Sequence, residues 1–316
     1  MNAGLVIVDK PAGWTSHDVV DKLRRLAGTR RVGHAGTLDP MATGVLVIGI
    51  DKATRLLGHL ALTQKAYDTT IRLGRSTNTD DAEGEITATA PAAAVEAVTD
   101  EALRGAIKAL TGRLQQVPPQ VSAIKVGGER AYKRARQGEE IELAARPVTI
   151  DDFVVGDVRR HAVLFSQPSS PDHPAPPTAA ANDRPPGVID VDASITCSSG
   201  TYIRALARDL GAALGIGGHL TALRRTRVGP YDLTMARTVA QLTGRLEVLP
   251  LAAAVAAAFP RRDVSADEAG KVAHGVRLPA VGLGPGPVGV FDPDGALLAL
   301  VEEHEGVAKS LAVFVP

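Results

Sequence analysis

The stretch that most limits what this chain can become runs from Gly33 to Leu46 and reads GHAGTLDPMATGVL. Pro40 disfavours the helical region for the residue before it, so Asp39 belongs in extended or turn backbone. Gly33, Gly36 and Gly44 permit tight turns and the close approach of another backbone. Straight after the loop, Val45–Ile48 is an apolar run with the character of a buried strand. The stretch thus sets a carboxylate in a constrained loop at the mouth of a strand, a placement suited to chemistry. A solvated turn aspartate is the plainer reading of the same residues, and local sequence does not separate the two.

The flanking chain alternates strands and helices. Leu5–Val8 reads as a strand and Lys10–Trp14 as a turn built on Pro11 and Gly13. Thr15 or Ser16 then caps a helix with Val19, Val20, Leu23 and Leu26 at helical spacing, closed by Gly28. A helix is expected from Lys52 to about Leu62, and a strand over Tyr67–Leu73. A further helix starts at Thr99, with Leu103, Ile107 and Leu110 on one face and Gly112 as its stop. Gln116–Arg146 is a long, basic, weakly periodic excursion of the kind that closes over a ligand.

Ser166–Gly187 breaks the composition: proline, serine and alanine dominate, and little remains to bury. Strand-like flanks, Ala162–Phe165 before it and the alternating Ile189 to Cys197 after it, make it a disordered insertion at a hairpin tip rather than a linker. Tyr202–Leu214 reads as a helix with Ile203, Leu206, Ala207 and Leu210 inward, and His219–Arg227 as a strand carrying three arginines. After a boundary near Gly244–Pro250 come an alanine-rich helix, a helix near Ser265–His274, and strands at Val288–Phe291, Leu297–Glu302 and Leu311–Val315.

Lys plus Arg and Asp plus Glu each number 35, so net charge gives no sign of a polyanionic partner. Local clusters at Lys22–Arg31, Lys125–Arg136 and Arg224, Arg225 and Arg227 could still form a basic face, although each alone suits a solvated surface. Cys197 is the sole cysteine, which excludes an intramolecular disulfide and a cysteine-rich zinc site. The Leu5–Val8 run is too short for a signal-peptide core and no membrane-span pattern occurs, so a soluble cytoplasmic protein is expected. The spacing of His34 and Asp39 suggests a metal pair, but no third ligand sits nearby, so no metal is expected. The GLGPGPVG run at Gly282–Gly289 lacks the Lys-Ser/Thr of a phosphate loop, and its prolines remove N–H donors.

Four stretches, in order, resemble the TruB family of tRNA pseudouridine synthases. They are the Asp39 loop, KPAGWTS from Lys10, PPQVSAIKVGGERAYKRAR from Pro118, and CSSGTYIR from Cys197. The resemblance covers roughly the first 240 residues, and four ordered motifs are far more specific than one. The resemblance implies an α+β fold with a large mixed, mainly antiparallel sheet flanked by helices. Residues 1–245 would form the catalytic domain, with 166–187 as the insertion, and 246–316 a small β-rich PUA-like domain. This tail is poor in basic and aromatic residues.

The implied reaction converts uridine 55 in the T-loop of tRNA to pseudouridine without a cofactor, with the protein acting as a monomer on the tRNA T-arm. By the same resemblance Asp39 is the reacting carboxylate, Arg204 its cationic partner, and Tyr67 the ring stacked on the target base. Tyr202 and Leu223 line the pocket, and His34 fills the stack left by the flipped nucleotide. Lys10 supports the wall of the site. Lys125, Arg130, Lys133, Arg224 and Arg225 are the expected RNA contacts. Two other readings stay open: a non-catalytic tRNA-binding chaperone on this scaffold, and a synthase for another RNA.

Overall fold

The computed structural model describes residues 3–120, 125–126, 129–130, 143–161 and 187–315. The expected insertion, apart from Gly187, and most of the Gln116–Arg146 excursion, with Lys133, lie outside the described residues.

In chain order the elements begin with β1 (Gly4–Lys10), α1 (Ser16–Ala27), β2 (Val32–His34), β3 (Thr43–Ile50), α2 (Leu57–Ala61) and β4 (Lys65–Leu73). Next come β5 (Arg75–Thr77), β6 (Ile86–Thr89), α3 (Ala92–Glu96), α4 (Asp100–Ala109), β7 (Gly112–Gln116), β8 (Lys125–Val126), β9 (Glu129–Arg130) and β10 (Arg146–His161). Then follow β11 (Val188–Cys197), α5 (Ile203–Ala213), β12 (Gly218–Val228), β13 (Tyr231–Asp232), β14 (Arg237–Thr238) and α6 (Val239–Gly244). The last are β15 (Leu249–Pro250), α7 (Leu251–Ala258), β16 (Arg261–Asp263), α8 (Ala266–Ala273), β17 (Leu278–Pro279), β18 (Pro287–Phe291), β19 (Leu297–His304) and β20 (Val307–Val313). Contacts divide the chain into two compact units, residues 1–65 with 225–316, and residues 66–224.

In the first unit the strands run β14-β1-β3-β12. β1 is antiparallel to β3, with Val6 opposite Ile48, and parallel to β14. β2 lies antiparallel on β3 and sets His34 opposite Ile48. α1 starts where expected: Thr15 accepts from the Asp18 backbone while Asp18 returns the bond, a capping box, and Gly28 closes the helix in left-handed conformation. The helix expected over Lys52–Leu62 opens instead as a 3-10 turn at Asp51–Leu56 before α2. Asp51 has φ of 52°, and the Thr54 hydroxyl donates to its carbonyl at 2.7 Å, so local side-chain bonding tightens the first turn.

The same unit holds the β-rich, PUA-like C-terminal strands in the order β16-β18-β19-β20-β17. Their core is not separate. Leu5, Ile7, Val45 and Val47 share one buried cluster with Ala254, Val255, Phe291 and Phe314. Tyr231, fully buried, donates from its hydroxyl to Ala254 O at 2.7 Å. Lys52 Nζ donates to Phe314 O at 3.0 Å. At Val281–Leu283 three successive backbone N–H groups point at the Glu303 carboxylate, at 2.8, 2.8 and 3.0 Å. The prolines of the Gly282–Gly289 run fall after these donors, which form an anion nest already filled by the chain's own carboxylate.

In the second unit the order is β12-β4-β11-β10-β7. β10 pairs antiparallel with β11 and with β7. β4 alternates buried and more exposed positions, and β11 buries Ile189, Val191, Ala193, Ile195 and Cys197. α5 turns Ile203, Leu206, Ala207 and Leu210 inward. The large mixed, mainly antiparallel sheet with flanking helices matches the expected fold class.

Candidate active site

The loop that carries Asp39 is held by buried donors on both sides of that residue. Ser16 Oγ accepts from the Leu38 amide at 2.8 Å and lies 3.1 Å from the Leu38 carbonyl, so the residue before Asp39 is pinned to the start of α1. The carbonyl of Pro40 accepts from Gly13 N at 2.8 Å and from Lys10 Nζ at 3.2 Å. Lys10 is completely buried and also donates to the carbonyls of Pro11 and Trp14. Its buried ammonium thus ties the Lys10–Trp14 turn to the Asp39 loop through their carbonyls. Ala42 N closes a turn on Asp39 O at 3.1 Å.

The loop's exit is fixed by glycine. Gly44 has φ of 96°, which favours glycine, and a Cβ there would lie 2.2 Å from Arg225 O. Arg225 itself is 1% exposed. Its guanidinium donates to the carbonyls of Val45, Gly36 and Thr37. This side chain was expected to reach RNA phosphates, yet burial leaves it no surface to offer one. Arg224 is half-buried, and Arg227 donates to Gln64 Oε1 and Gly229 O.

His34 ends β2, half-buried, and its Nδ1 has no hydrogen-bond partner among the described residues. Burial pushes its pKa below the ordinary histidine value, and the Arg225 and His17 charges act in the same direction. A backbone hydrogen bond involving Gly36 opposes this, and the net shift favours the neutral ring, which suits stacking rather than pairing with phosphate.

In the second unit, Tyr67 is 7% exposed on β4 and Leu223 is buried on β12. Tyr202 precedes α5, and the side-chain amide of Gln116 grips its backbone. Tyr202 N donates to Oε1 at 2.9 Å, and Nε2 donates to Tyr202 O at 3.1 Å. Arg204, in the first turn of α5, is buried and forms an ion pair with Asp81 at 3.2 Å, with both side chains under one-tenth exposed. Its guanidinium also donates to Thr79 O at 2.8 Å. Asp81 is itself fixed by Thr79 Oγ1 at 2.6 Å and Glu83 N at 3.1 Å. Next to it, burial raises the pKa of Asp80, partly offset by Arg208 and Arg204.

Sequence reasoning missed Asp81 and Gln116. The TDDAEGE run after β5 displays its acids openly, but their partners lie more than a hundred residues on, where no spacing rule reaches. Lys125 and Arg130 stand opposite each other in the β8–β9 pair, and only their backbone is described. Among the described residues no group of three or more His, Cys, Asp or Glu could hold a metal ion, and no helix is long and apolar enough to cross a membrane. A cavity of about 220 Å³, lined by Arg72, Arg75 and His219 among others, contains none of the expected site residues.

Comparison with known proteins agrees across the chain. Residues 24–172 match the model described as TruB family pseudouridylate synthase (N terminal domain). Residues 204–249 match tRNA pseudouridylate synthase B C-terminal domain, and 259–315 match tRNA Pseudouridine synthase II, C terminal. A protein of Thermobifida fusca named tRNA pseudouridine synthase B is 58% identical over 315 residues, covering 99% of each chain. One of Streptomyces coelicolor with the same name is 61% identical over 313 residues, 98% of this chain and 97% of that one. Among solved structures, a chain of a Cbf5-Nop10-Gar1 complex has 24% identity and a TM-score of 0.68, covering 99% of this chain and 84% of its own. That likeness speaks for the fold.

Proposed function

The chain belongs to the TruB family of pseudouridylate synthases, and from that premise we propose that it isomerises uridine 55 in the T-loop of tRNA to pseudouridine. It is read as a catalytic domain of residues 1–245 and a C-terminal domain of 246–316, acting as a monomer. The observation that carries the reading is the Asp39 loop, whose neighbours on both sides are tied to buried donors. Such anchoring holds a reactive group in one geometry before substrate arrives, which a binding surface does not need.

In the proposed reaction the target nucleotide is flipped out of its stack. Asp39 acts at the sugar, as nucleophile at C1′ or as the base that takes the 2′ proton. The N1–C1′ bond breaks, the uracil turns, and C5 bonds to C1′. The C5 proton is then lost and N1 gains one, so no net redox change occurs. Arg204 keeps the Asp39 carboxylate ionised. Tyr67 stacks on the base, with its hydroxyl near the departing C5 proton, while Tyr202 and Leu223 wall the pocket. His34, neutral at working pH, fills the vacated stack. Lys125, Arg130, Lys133 and Arg224 contact phosphates of the T-arm.

The test is tritium release from C5-labelled uridine in a T-arm stem-loop, with RNA binding measured on the same samples. Asp39→Asn keeps shape and removes the charge, so turnover should fall by many orders of magnitude while affinity changes little. Normal release by this variant would remove Asp39 from the mechanism. Wild-type protein that binds without releasing tritium would make it a tRNA-binding chaperone.

A further inference from the structure

Arg225 is the most deeply buried of the expected RNA contacts whose side chains are described, and its bonds have a pattern. Nε donates to Val45 O at 2.7 Å, one terminal nitrogen to Gly36 O at 3.1 Å, and the other to Thr37 O at 3.4 Å. Two of these carbonyls precede Asp39, and the third, Val45 O, lies in the first half of the strand that follows it. Ser16 and Lys10 hold the carbonyls of Leu38 and Pro40, so Arg225 ties the outer ends of the segment whose middle they pin. Among the described residues no carboxylate lies within ion-pair distance of it.

That arrangement is costly unless geometry requires it. A cation kept from water needs compensation, and here only carbonyl dipoles supply it. A leucine or methionine would fill the space without that cost. What neither can do is bridge two strands of a loop, which a planar guanidinium with five donors in a rigid fork does well. A lysine would keep the charge, yet its ammonium is a point and would lose the span between Val45 O and the Gly36–Thr37 pair. The backbone at Arg225 also meets the loop directly, since nothing larger than glycine fits at position 44.

We propose that Arg225 is a positioning residue of the reaction, a clamp across the two ends of the Asp39 loop that aims the carboxylate before RNA binds. The proposal rests on the reading of Asp39 as the reacting carboxylate.

The experiment compares Arg225→Lys, Arg225→Met and Asp39→Asn by single-turnover tritium release at saturating stem-loop. RNA affinity, thermal unfolding and the fraction of folded protein are measured alongside, well below each variant's melting temperature. A clamp predicts that Lys and Met variants both lose roughly 10- to 1000-fold in rate per folded molecule, since a misplacement of about 1 Å can cost about 100-fold. RNA affinity should stay within about threefold. A Lys variant that folds and turns over within about threefold of the parent would overturn the proposal. So would affinity loss with a normal saturated rate, which would restore a phosphate contact. If neither substitution folds, Arg225 is a residue of the fold and the proposal fails. An active Asp39→Asn variant would instead sink the reading on which the clamp rests, whatever the Arg225 variants do.

Discussion

Asp81→Asn tests whether the buried pair behind Arg204 is a unit. The substitution keeps an oxygen for the bonds from Thr79 Oγ1 and Glu83 N, and turns an amide toward Arg204 where a carboxylate oxygen stood at 3.2 Å. Both side chains are under one-tenth exposed, so solvent screens little of the loss. Breaking a buried pair by removing one partner costs about 3–5 kcal/mol, and the retained bonds bring this toward about 2–4 kcal/mol. For a chain of this size that is a fall of roughly 4–8 °C in melting temperature. Arg204→Met should cost about as much, because it strands the Asp81 carboxylate. The double variant should cost less than the two summed, with a coupling of at least about 1 kcal/mol. Calorimetry on the four proteins closes the cycle, and single-turnover tritium release on the same samples asks whether Arg204 works without its partner. If Asp81→Asn leaves the rate intact, or the two costs simply add, the pair is not the support that its geometry suggests.

Two further outcomes follow from the first unit. Tyr231→Phe leaves the Ala254 carbonyl without its 2.7 Å donor in a fully buried site, so stability should fall by about 1–2 kcal/mol with turnover unchanged; an unshifted unfolding midpoint would show that the bond is replaced. The Glu303 carboxylate lies below its ordinary value of 4.5, chiefly because the Val281 amide donates to it. A depressed carboxylate contributes stability above its unfolded value and loses it as pH falls through the folded one. Amide protection at Val281, Gly282 and Leu283 should therefore collapse in acid below about 4.5, and Glu303→Gln should remove that pH dependence; protection that ignores pH in the parent would refute the tether.

What could be read in advance was local. The capping box of α1 and the alternation of β11 are rules a few residues long, and the structure follows them. The Lys52–Leu62 segment departs from a regular helix at its start because Asp51 adopts a positive φ, which apolar spacing does not report. Arg225 shows a subtler limit. Strand parity sets it on the same side as the buried Leu223, but a charged side chain in a basic run carries no local sign of burial. Arg204 could be placed on its helix, but Asp81 could not be joined to it, since an ion pair across the fold has no signature in sequence.

The core shared by Leu5 and Phe314 also carries a consequence for synthesis. Their separation is 309 residues, and chains grow at about 5–20 residues per second, so roughly 15–60 s pass between the making of the two. During that interval β1 and β3 can pair and pack against Leu56 and Leu60, but the part of the cluster filled by Phe291 and Phe314 stays open until those residues are made. Contacts this distant in sequence slow folding, because loop closure must be accomplished before burial rewards it. β1, made long before Phe314, is thus among the last strands to be fully enclosed. Its apolar face is the surface that holding chaperones, or a neighbouring nascent copy, would meet first.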